Sequence, residues 1–567
     1  MANLTEEVVR RGVTAPLGLR PTPRWARIYR SRGVWRDQTP VSDLRRWRRR
    51  TPDAVAITAH RAEHGVRHLT YREYAAYVER FAGALHELGV RRGDVVAIQL
   101  PNWWQVSTLI LACARIGAVT VPITTSIRPR ELERMLAMLG AAVCVTVDRW
   151  LGFDHSAALA EIAPRLPHLR HRVVLGDHVQ DGEVDFVRHF EDVPWEQWHG
   201  ISLDDPGEDP DQVSLVTFTS GTTGSPKAVL HTFNTFHAGC SPIAIEDELG
   251  PDDRLFTPHP LTHGWGVKFG VLLPLLAGAR SVVMDTWEPD TALRLLVSSG
   301  ATALVATPAF LSELTSVARQ RCERLPTVRR IVTGAVPVPP EVITEVGEWF
   351  RVVPQTAWGM SEVIGGTRTR ITDPVDWPTR SDGCPRADLE IDLRGDGEIT
   401  PERPARLYVR GASVCLATVN RDTGATVVLA EHDHGWYDTG DIVVPDGRDG
   451  IRLVGRTGDR IGGLAMIPVL DVEQALRRHP AVREVALVGY PDPHGGELAC
   501  AVVVPDAPVT LADLRHHLAT LQMTEWYRPS RLEILPALPR NTMGKVEKDR
   551  LRRWLRDGTA LDQCPPG

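Results

Sequence analysis

The chain has 567 residues, 43% of them hydrophobic and 24% charged, with a formal net charge of −6 and an isoelectric point near 6.4. That length exceeds what one hydrophobic core fills, so at least two domains are expected. The charge balance excludes a general nucleic-acid binder or a coat for anionic membranes, both of which carry a basic footprint, and the composition is that of a folded rather than a disordered chain.

Eight cysteines are scattered without paired spacing, as free thiols in a reducing cytosol would be, and not as a disulfide frame or a zinc site. The amino terminus lacks an apolar core of signal-peptide type, and the longest apolar stretch, Phe269 to Ala279, is shorter than the roughly 20 residues that span a bilayer. A cytoplasmic protein without membrane insertion is expected.

In chain order, the first notable segment is the basic run Arg45 to Arg50 around Trp47, read as a solvated helix face. Amphipathic stretches of helical length, Tyr71 to Leu88 and Arg130 to Leu139, alternate with apolar strand-like runs at Val95 to Gln99, Ala142 to Val147 and Ser281 to Met284. This alternation predicts stacked α/β layers. Ser202 to Asp211 is acidic with two prolines and reads as a surface connection. It leads into a β-branched strand, Val213 to Phe218, and then into Thr219-Ser220-Gly221-Thr222-Thr223-Gly224-Ser225-Pro226-Lys227.

A strand opening into so many hydroxyls and glycines makes a phosphate cradle. Pro226 and Ala228 flank the lysine where the common nucleoside-triphosphate loop needs Gly and Ser or Thr, so this is a different grip. Of the 65 lysines and arginines only four are lysine: Lys227, Lys268, Lys545 and Lys548. A lysine kept in an arginine-writing chain offers a compact point charge that a guanidinium does not imitate.

Further landmarks follow in order: Gly334-Ala335 after the strand Ile331 to Thr333, Trp358-Gly359-Met360-Ser361-Glu362, Gly435-Trp436-Tyr437-Asp438-Thr439-Gly440-Asp441, Gly455-Arg456, and Asn541-Thr542-Met543-Gly544-Lys545. With the phosphate loop, these six landmarks closely resemble the adenylate-forming superfamily: acyl-CoA synthetases, aryl-acid ligases, adenylation domains of peptide synthetases and luciferases. The opening Gly33-Val34-Trp35-Arg36-Asp37-Gln38-Thr39 is similar to the branch of cyclohexanecarboxylate-type CoA ligases and dihydroxybenzoate-adenylating enzymes.

The resemblance implies a large multi-layer α/β amino-terminal domain with a β subdomain, residues 1–455, that binds ATP and substrate. It also implies a small mobile α+β lid, residues 456–567, with Gly458, Gly462 and Gly463 able to absorb a hinge rotation. It places Thr219, Ser220, Gly221, Thr222, Thr223, Gly224 and Lys227 on the phosphates, and Gly334, Ala335, Trp358, Gly359, Met360 and Ser361 around the nucleotide. Trp358 would offer a flat face to adenine, Asp441 would accept the ribose hydroxyls, and Arg456 would meet ribose or phosphate. Glu362, with Thr219 as a second contact, would ligate Mg²⁺. Lys545 would be the catalytic lysine at the α-phosphate and the attacking oxygen.

Pro258 to Lys268 matches the segment that lines the family's acid pocket, with His263, Trp265 and Lys268 as substrate-facing candidates. Lys268 fits no family motif and is expected to pair with a second carboxylate or a phenolate, or else to snorkel from a helix over Phe269 to Leu276. After Arg456, many CoA ligases run from Asp through four residues to Gly-Gly-Glu-Asn-Ile; here two residues separate Asp459 from Gly462-Gly463, and Leu464-Ala465-Met466-Ile467 follow. That departure leaves the acceptor open between CoA, a carrier protein, and the nitrite and aryl amine used by ATP-dependent diazotases of similar sequence. The sequence is silent on oligomeric state.

Overall fold

The computed structural model describes residues 15–198, 208–219, 227–336, 338–386, 388–395, 397–400, 403–420, 423–456, 461–462, 466–467, 469–493, 496–539 and 546–557. Two nine-stranded sheets form its larger, amino-terminal part. The first runs Thr426–Val428, Ala417–Asn420, Lys227–His231, Leu215–Thr219, Val119–Pro122, Val95–Gln99, Val143–Val147, His171–Leu175 and Val184–Asp185. Val95–Gln99 and Val143–Val147 are buried along their whole length, as strands covered on both faces are.

The second sheet places Gln355–Met360, Arg330–Gly334, Ala303–Val305, Arg254–Thr257, Arg280–Met284 and Val55–Arg61 side by side in parallel. Its chain order reverses at Arg254–Thr257. The next strand, Arg280–Met284, lies on one side, and the one after, Ala303–Val305, on the other. Such a reversal opens a crevice at the carboxyl ends of the two diverging strands.

The helices follow from local chemistry. Tyr71–Glu87 starts at a capping box, Thr70 with Glu73, and buries Tyr74, Val78, Phe81 and Leu85 on one stripe. The segment around Lys268, for which a helix beside Phe269 to Leu276 was one of two expectations, is a short α-turn at Gly264–Gly266, a π-helical turn over Val267–Leu272 and a last α-turn over Leu273–Ala277. Close packing requires its glycines: a Cβ on Gly266 would lie 1.9 Å from the Pro260 carbonyl oxygen, and one on Gly270 would lie 2.4 Å from Leu261 Cδ2.

The basic run is not a solvated face. In the helix Pro40–Arg50, Arg45 is 7% exposed and donates to Glu208, with Arg45 Nη1 2.9 Å from Glu208 Oε2, while Arg46 donates to the Leu276 carbonyl at 2.7 Å. Only Arg49 and Arg50 are exposed. The acidic connection is likewise drawn inward at Glu208, whose side chain also lies 3.6 Å from Arg115. Basic and acidic segments read separately as solvent-facing are partners. The opening motif is a brace: Trp35 Nε1 donates to the Ala412 carbonyl at 2.9 Å, and Asn234 bonds both the N–H and the carbonyl of Arg36.

A four-stranded antiparallel sheet, Leu389–Arg394, Ala405–Gly411, Tyr437–Pro445 and Ile451–Arg456, closes the larger part. Beyond it, Val482–Pro491, Glu497–Pro505 and Arg531–Ile534 form a smaller sheet with its own core of Val485, Leu487, Ala501, Val503, Leu514 and Leu518. The two parts meet at a buried carboxylate. Glu131, on the helix Pro129–Leu139 and 0% exposed, accepts from the Thr524 N–H at 2.9 Å and its hydroxyl at 2.7 Å, while Arg128 N–H donates to Thr524 Oγ1 at 3.0 Å. Nearby, Gln522 Nε2 donates to Glu161 at 2.9 Å.

Candidate active site

Leu215–Thr219 and Lys227–His231 pair antiparallel with Thr219 opposite Lys227, so the two ends of the hydroxyl-rich loop stand side by side. Ser220, Gly221, Thr222, Thr223 and Gly224 lie outside the described residues. Lys227 projects toward Glu362 and Tyr437. Its Nζ is 2.9 Å from Glu362 Oε1 and 2.8 Å from the Tyr437 hydroxyl, which in turn donates to Glu362 Oε1 at 2.9 Å.

Glu362 sits in a tight hairpin turn. Met360 pairs with Val363 across Gln355–Met360 and Val363–Arg368, leaving Ser361 and Glu362 at the bend. Burial of Glu362 to 1% is sustained by the ammonium and the phenol. The turn is pinned from behind: His231 Nε2 donates to the Ser361 carbonyl at 2.7 Å, its Nδ1 lies 2.9 Å from Thr235 Oγ1, and Cys415 N–H donates to the Glu362 carbonyl at 2.9 Å. Burial pushes the His231 imidazole down to about 4, which keeps it neutral.

Trp358 and Asp441 are joined directly, the indole N–H donating to Asp441 Oδ2 at 2.8 Å with both residues buried. Trp358 is 5% exposed and packs with Val363, Leu389, Val409 and Tyr437, so in this state its ring is a core group that orients the carboxylate. Asp441 pairs with Arg456 across Tyr437–Pro445 and Ile451–Arg456. That register places the backbone of Arg456 beside Asp441. Lys545 lies outside the described residues.

Gly334 ends the strand Arg330–Gly334, and Ala335 follows with φ +67°, a left-handed conformation that costs a non-glycine residue on the order of 1 kcal/mol. No side chain fits at 334: a Cβ there would be 2.0 Å from the Ala357 carbonyl oxygen and 3.2 Å from Trp265 Cη2. Trp265 therefore reaches from the segment at 258–268 to the end of this strand.

In the crevice where the sheet order reverses, His259 follows Arg254–Thr257, and Phe310 stands near the start of the helix after Ala303–Val305. The His259 ring lies edge-on to Trp265 at 5.5 Å and to Phe310 at 5.6 Å. It is 0% exposed, and neither ring nitrogen has a hydrogen-bond partner among the described residues. Burial pushes it down to about 3.

His263 caps the short helix, its Nδ1 accepting from the Trp265 N–H at 3.3 Å. Lys268 is 7% exposed, and its ammonium donates to the Ile364 carbonyl at 2.7 Å, two residues beyond Glu362. Burial pushes it down to about 8. The structure thus ties Lys268 to backbone and brings no carboxylate to it among the described residues.

Tyr437, His231, His259 and Phe310 are the residues that sequence reasoning missed. Tyr437 and His259 stood inside quoted segments without a role, while His231 lies four residues beyond one.

The model of the AMP-binding enzyme family matches residues 44–417, and that of the AMP-binding enzyme C-terminal domain matches residues 471–545. The chain is 32% identical over 525 residues to the 3-[(3aS,4S,7aS)-7a-methyl-1,5-dioxo-octahydro-1H-inden-4-yl]propanoyl:CoA ligase of Mycobacterium tuberculosis, covering 91% of this chain and 98% of that protein. It is 31% identical over 553 residues to the salicyl-AMP ligase / salicyl-S-ArCP synthetase of the same organism, covering 94% and 93%. Among solved structures, apo MbtA of Mycobacterium smegmatis superposes with a TM-score of 0.68 at 27% identity, over 96% of this chain and all of that one.

Proposed function

The chain belongs to the AMP-binding enzyme family, and from that premise we propose that it activates an aromatic or alicyclic carboxylic acid with ATP and passes the acyl group to CoA. A carboxylate oxygen attacks the α-phosphorus and pyrophosphate leaves. The thiol sulfur then attacks the acyl carbon and AMP leaves. Relatives named for an indenylpropanoyl:CoA ligase and for a salicyl-AMP ligase support the acid class and leave the acceptor as the finer question.

The observation that carries this reading is the group of Lys227, Glu362 and Tyr437 at the mouth of the phosphate loop. Triphosphate charge must be held and neutralised as it shifts onto departing pyrophosphate. Lys227 and the loop residues Thr219, Ser220, Thr222 and Thr223 supply the ammonium and hydroxyls for this, with Gly221 and Gly224 allowing close backbone approach. Glu362 and Thr219 offer hard oxygen donors of the kind Mg²⁺ takes beside substrate phosphates. When bound, the cation neutralises developing phosphate charge.

Asp441, oriented by Trp358, receives the ribose hydroxyls, with Arg456 beside it. The backbone at Gly334, Ala335, Gly359, Met360 and Ser361 borders the base. Lys545 on the carboxy-terminal part, residues 456–567, stabilises the charge at the attacking oxygen. His263 and Trp265 border the acid, and Lys268 acts as a brace between the π-helical turn and the strand after Glu362.

The test is AMP release with ATP, Mg²⁺ and a panel of aromatic and alicyclic acids, aminoaryl acids and nitrite, with and without CoA, using Lys545→Ala as the blank. CoA-dependent AMP release with thioester formation is expected. Release that ignores CoA but needs a carrier protein, or nitrite with an aryl amine, replaces the acceptor and keeps the adenylation. No release with any of them removes the reading.

A further inference from the structure

We infer that Tyr437 is a positioning residue that couples nucleotide binding to divalent-cation binding through Glu362. The inference rests on the proposed role of Glu362 as the cation's carboxylate.

The phenol has one hydrogen, and the geometry gives it to Glu362 Oε1 at 2.9 Å; its oxygen accepts from Lys227 Nζ at 2.8 Å. The ammonium, 2.9 Å from Glu362 Oε1, balances a carboxylate whose side chain is only 2% exposed. A triphosphate entering beside Thr219 competes for the same ammonium. Lys227, the cation paired with Glu362 among the described residues, is drawn away as it turns to the phosphates, and weakening the counter-charge of a buried carboxylate is costly. A divalent cation arriving with the nucleotide replaces the lost charge.

Through that exchange the Tyr437 hydroxyl remains the fixed donor to Glu362. Its ring is anchored in the cluster with Trp358, Val363, Leu407 and Val409, and its strand carries Asp441 four residues on. Tyr437 thus holds the carboxylate's orientation while the charge partner changes from ammonium to cation. Partners that orient a metal ligand without touching the metal typically change metal affinity by about 10- to 100-fold when removed.

The experiment titrates ATP into the full-length protein by calorimetry across a series of Mg²⁺ concentrations, for wild type, Tyr437→Phe and Glu362→Gln, with melting curves for each. Tyr437→Phe keeps the ring and removes only the hydroxyl. The expected result is that it raises the Mg²⁺ concentration needed for half-maximal ATP affinity by about tenfold or more, leaves cation-free ATP binding at least as tight, and melts within a few degrees of wild type.

If Glu362→Gln abolishes the response to Mg²⁺ while Tyr437→Phe responds as wild type does, the positioning role is overturned and the carboxylate's role stands. If Glu362→Gln also responds as wild type does, the role given to Glu362 falls, and the inference falls with it. A Tyr437→Phe protein that melts many degrees lower with an unchanged Mg²⁺ requirement marks a packing role and overturns the inference.

Discussion

At the mouth of the phosphate loop buried polar groups are paired with one another. Lys227, Glu362 and Tyr437 satisfy one another, His231 holds the Ser361 carbonyl, and Trp358 holds Asp441. Across Trp265, in the crevice where the sheet order reverses, the pattern differs: the His259 ring has no partner among the described residues, and Lys268 spends its ammonium on one backbone carbonyl in a nearly closed setting. The first group is held by charge-assisted contacts between side chains, whereas the second keeps polar groups in apolar surroundings, where adding or removing one hydrogen bond changes the energy most.

Breaking the first group has the largest expected effect. Lys227→Met removes phosphate charge stabilisation and strands Glu362, lowering AMP release by about 10²–10³-fold and stability by roughly 3 kcal/mol in denaturant titrations. The double variant with Glu362→Met recovers most of the stability and none of the activity. Stability that the single variant leaves unchanged would show that the pair is not the counter-charge described here.

The histidines sharpen the contrast. His231→Leu orphans the Ser361 carbonyl and costs about 1–3 kcal/mol, whereas His259→Leu deletes a group without partners and is neutral or stabilising by about 1 kcal/mol at pH 7. Both are read from denaturation midpoints. Because burial pushes His231 to about 4 and His259 to about 3, below the ordinary 6.5, the unfolded chain takes up protons that the folded one refuses as pH falls below 6.5. Each therefore removes about 1.4 kcal/mol of stability per pH unit on that acid limb, and each leucine variant should flatten it. His155 and His237, also pushed to about 4, steepen the same limb in every variant.

The smallest effect falls at Lys268. With its ammonium pushed down to about 8 from 10.5, the unfolded chain holds a proton between those pH values that the folded chain has shed, so wild-type stability gains on Lys268→Met as pH rises through that window. The gain is at most about 1.4 kcal/mol per pH unit. Acid affinity, measured from the dependence of AMP release on acid concentration, should be unchanged; a loss confined to acids with a second anionic group would return Lys268 to the substrate.

Much of this was legible in sequence because the nucleotide-side landmarks are contiguous in the chain: Thr219 to Lys227, Trp358 to Glu362 and Gly435 to Asp441. The alternation of apolar runs with amphipathic stretches likewise announced the layered α/β architecture, and Tyr71 to Leu88 differs from its helix by one residue. What remained hidden depends on pairings across the fold. Tyr437 meets Lys227 from 210 positions away, Arg45 meets Glu208 from 163, and no local pattern encodes either distance. The setting of His259 follows from the reversal of strand order beside it, which a one-dimensional pattern does not reveal. The π-helical turn that buries Lys268 differs from the helix from which that lysine was alternatively expected to snorkel.

The seat of Glu131 beneath Thr524 is a latch between the two parts. For the carboxy-terminal part to swing away, a carboxylate with no solvent contact must give up two hydrogen bonds, from the Thr524 N–H and hydroxyl, before water can replace them. At about 1.5–3 kcal/mol for a hydrogen bond to a charged group, that uncoupling lengthens the dwell in this arrangement by one or more orders of magnitude over an unlatched contact. If the carboxy-terminal part moves during turnover, Glu131 and Thr524 set part of the cost of leaving this arrangement.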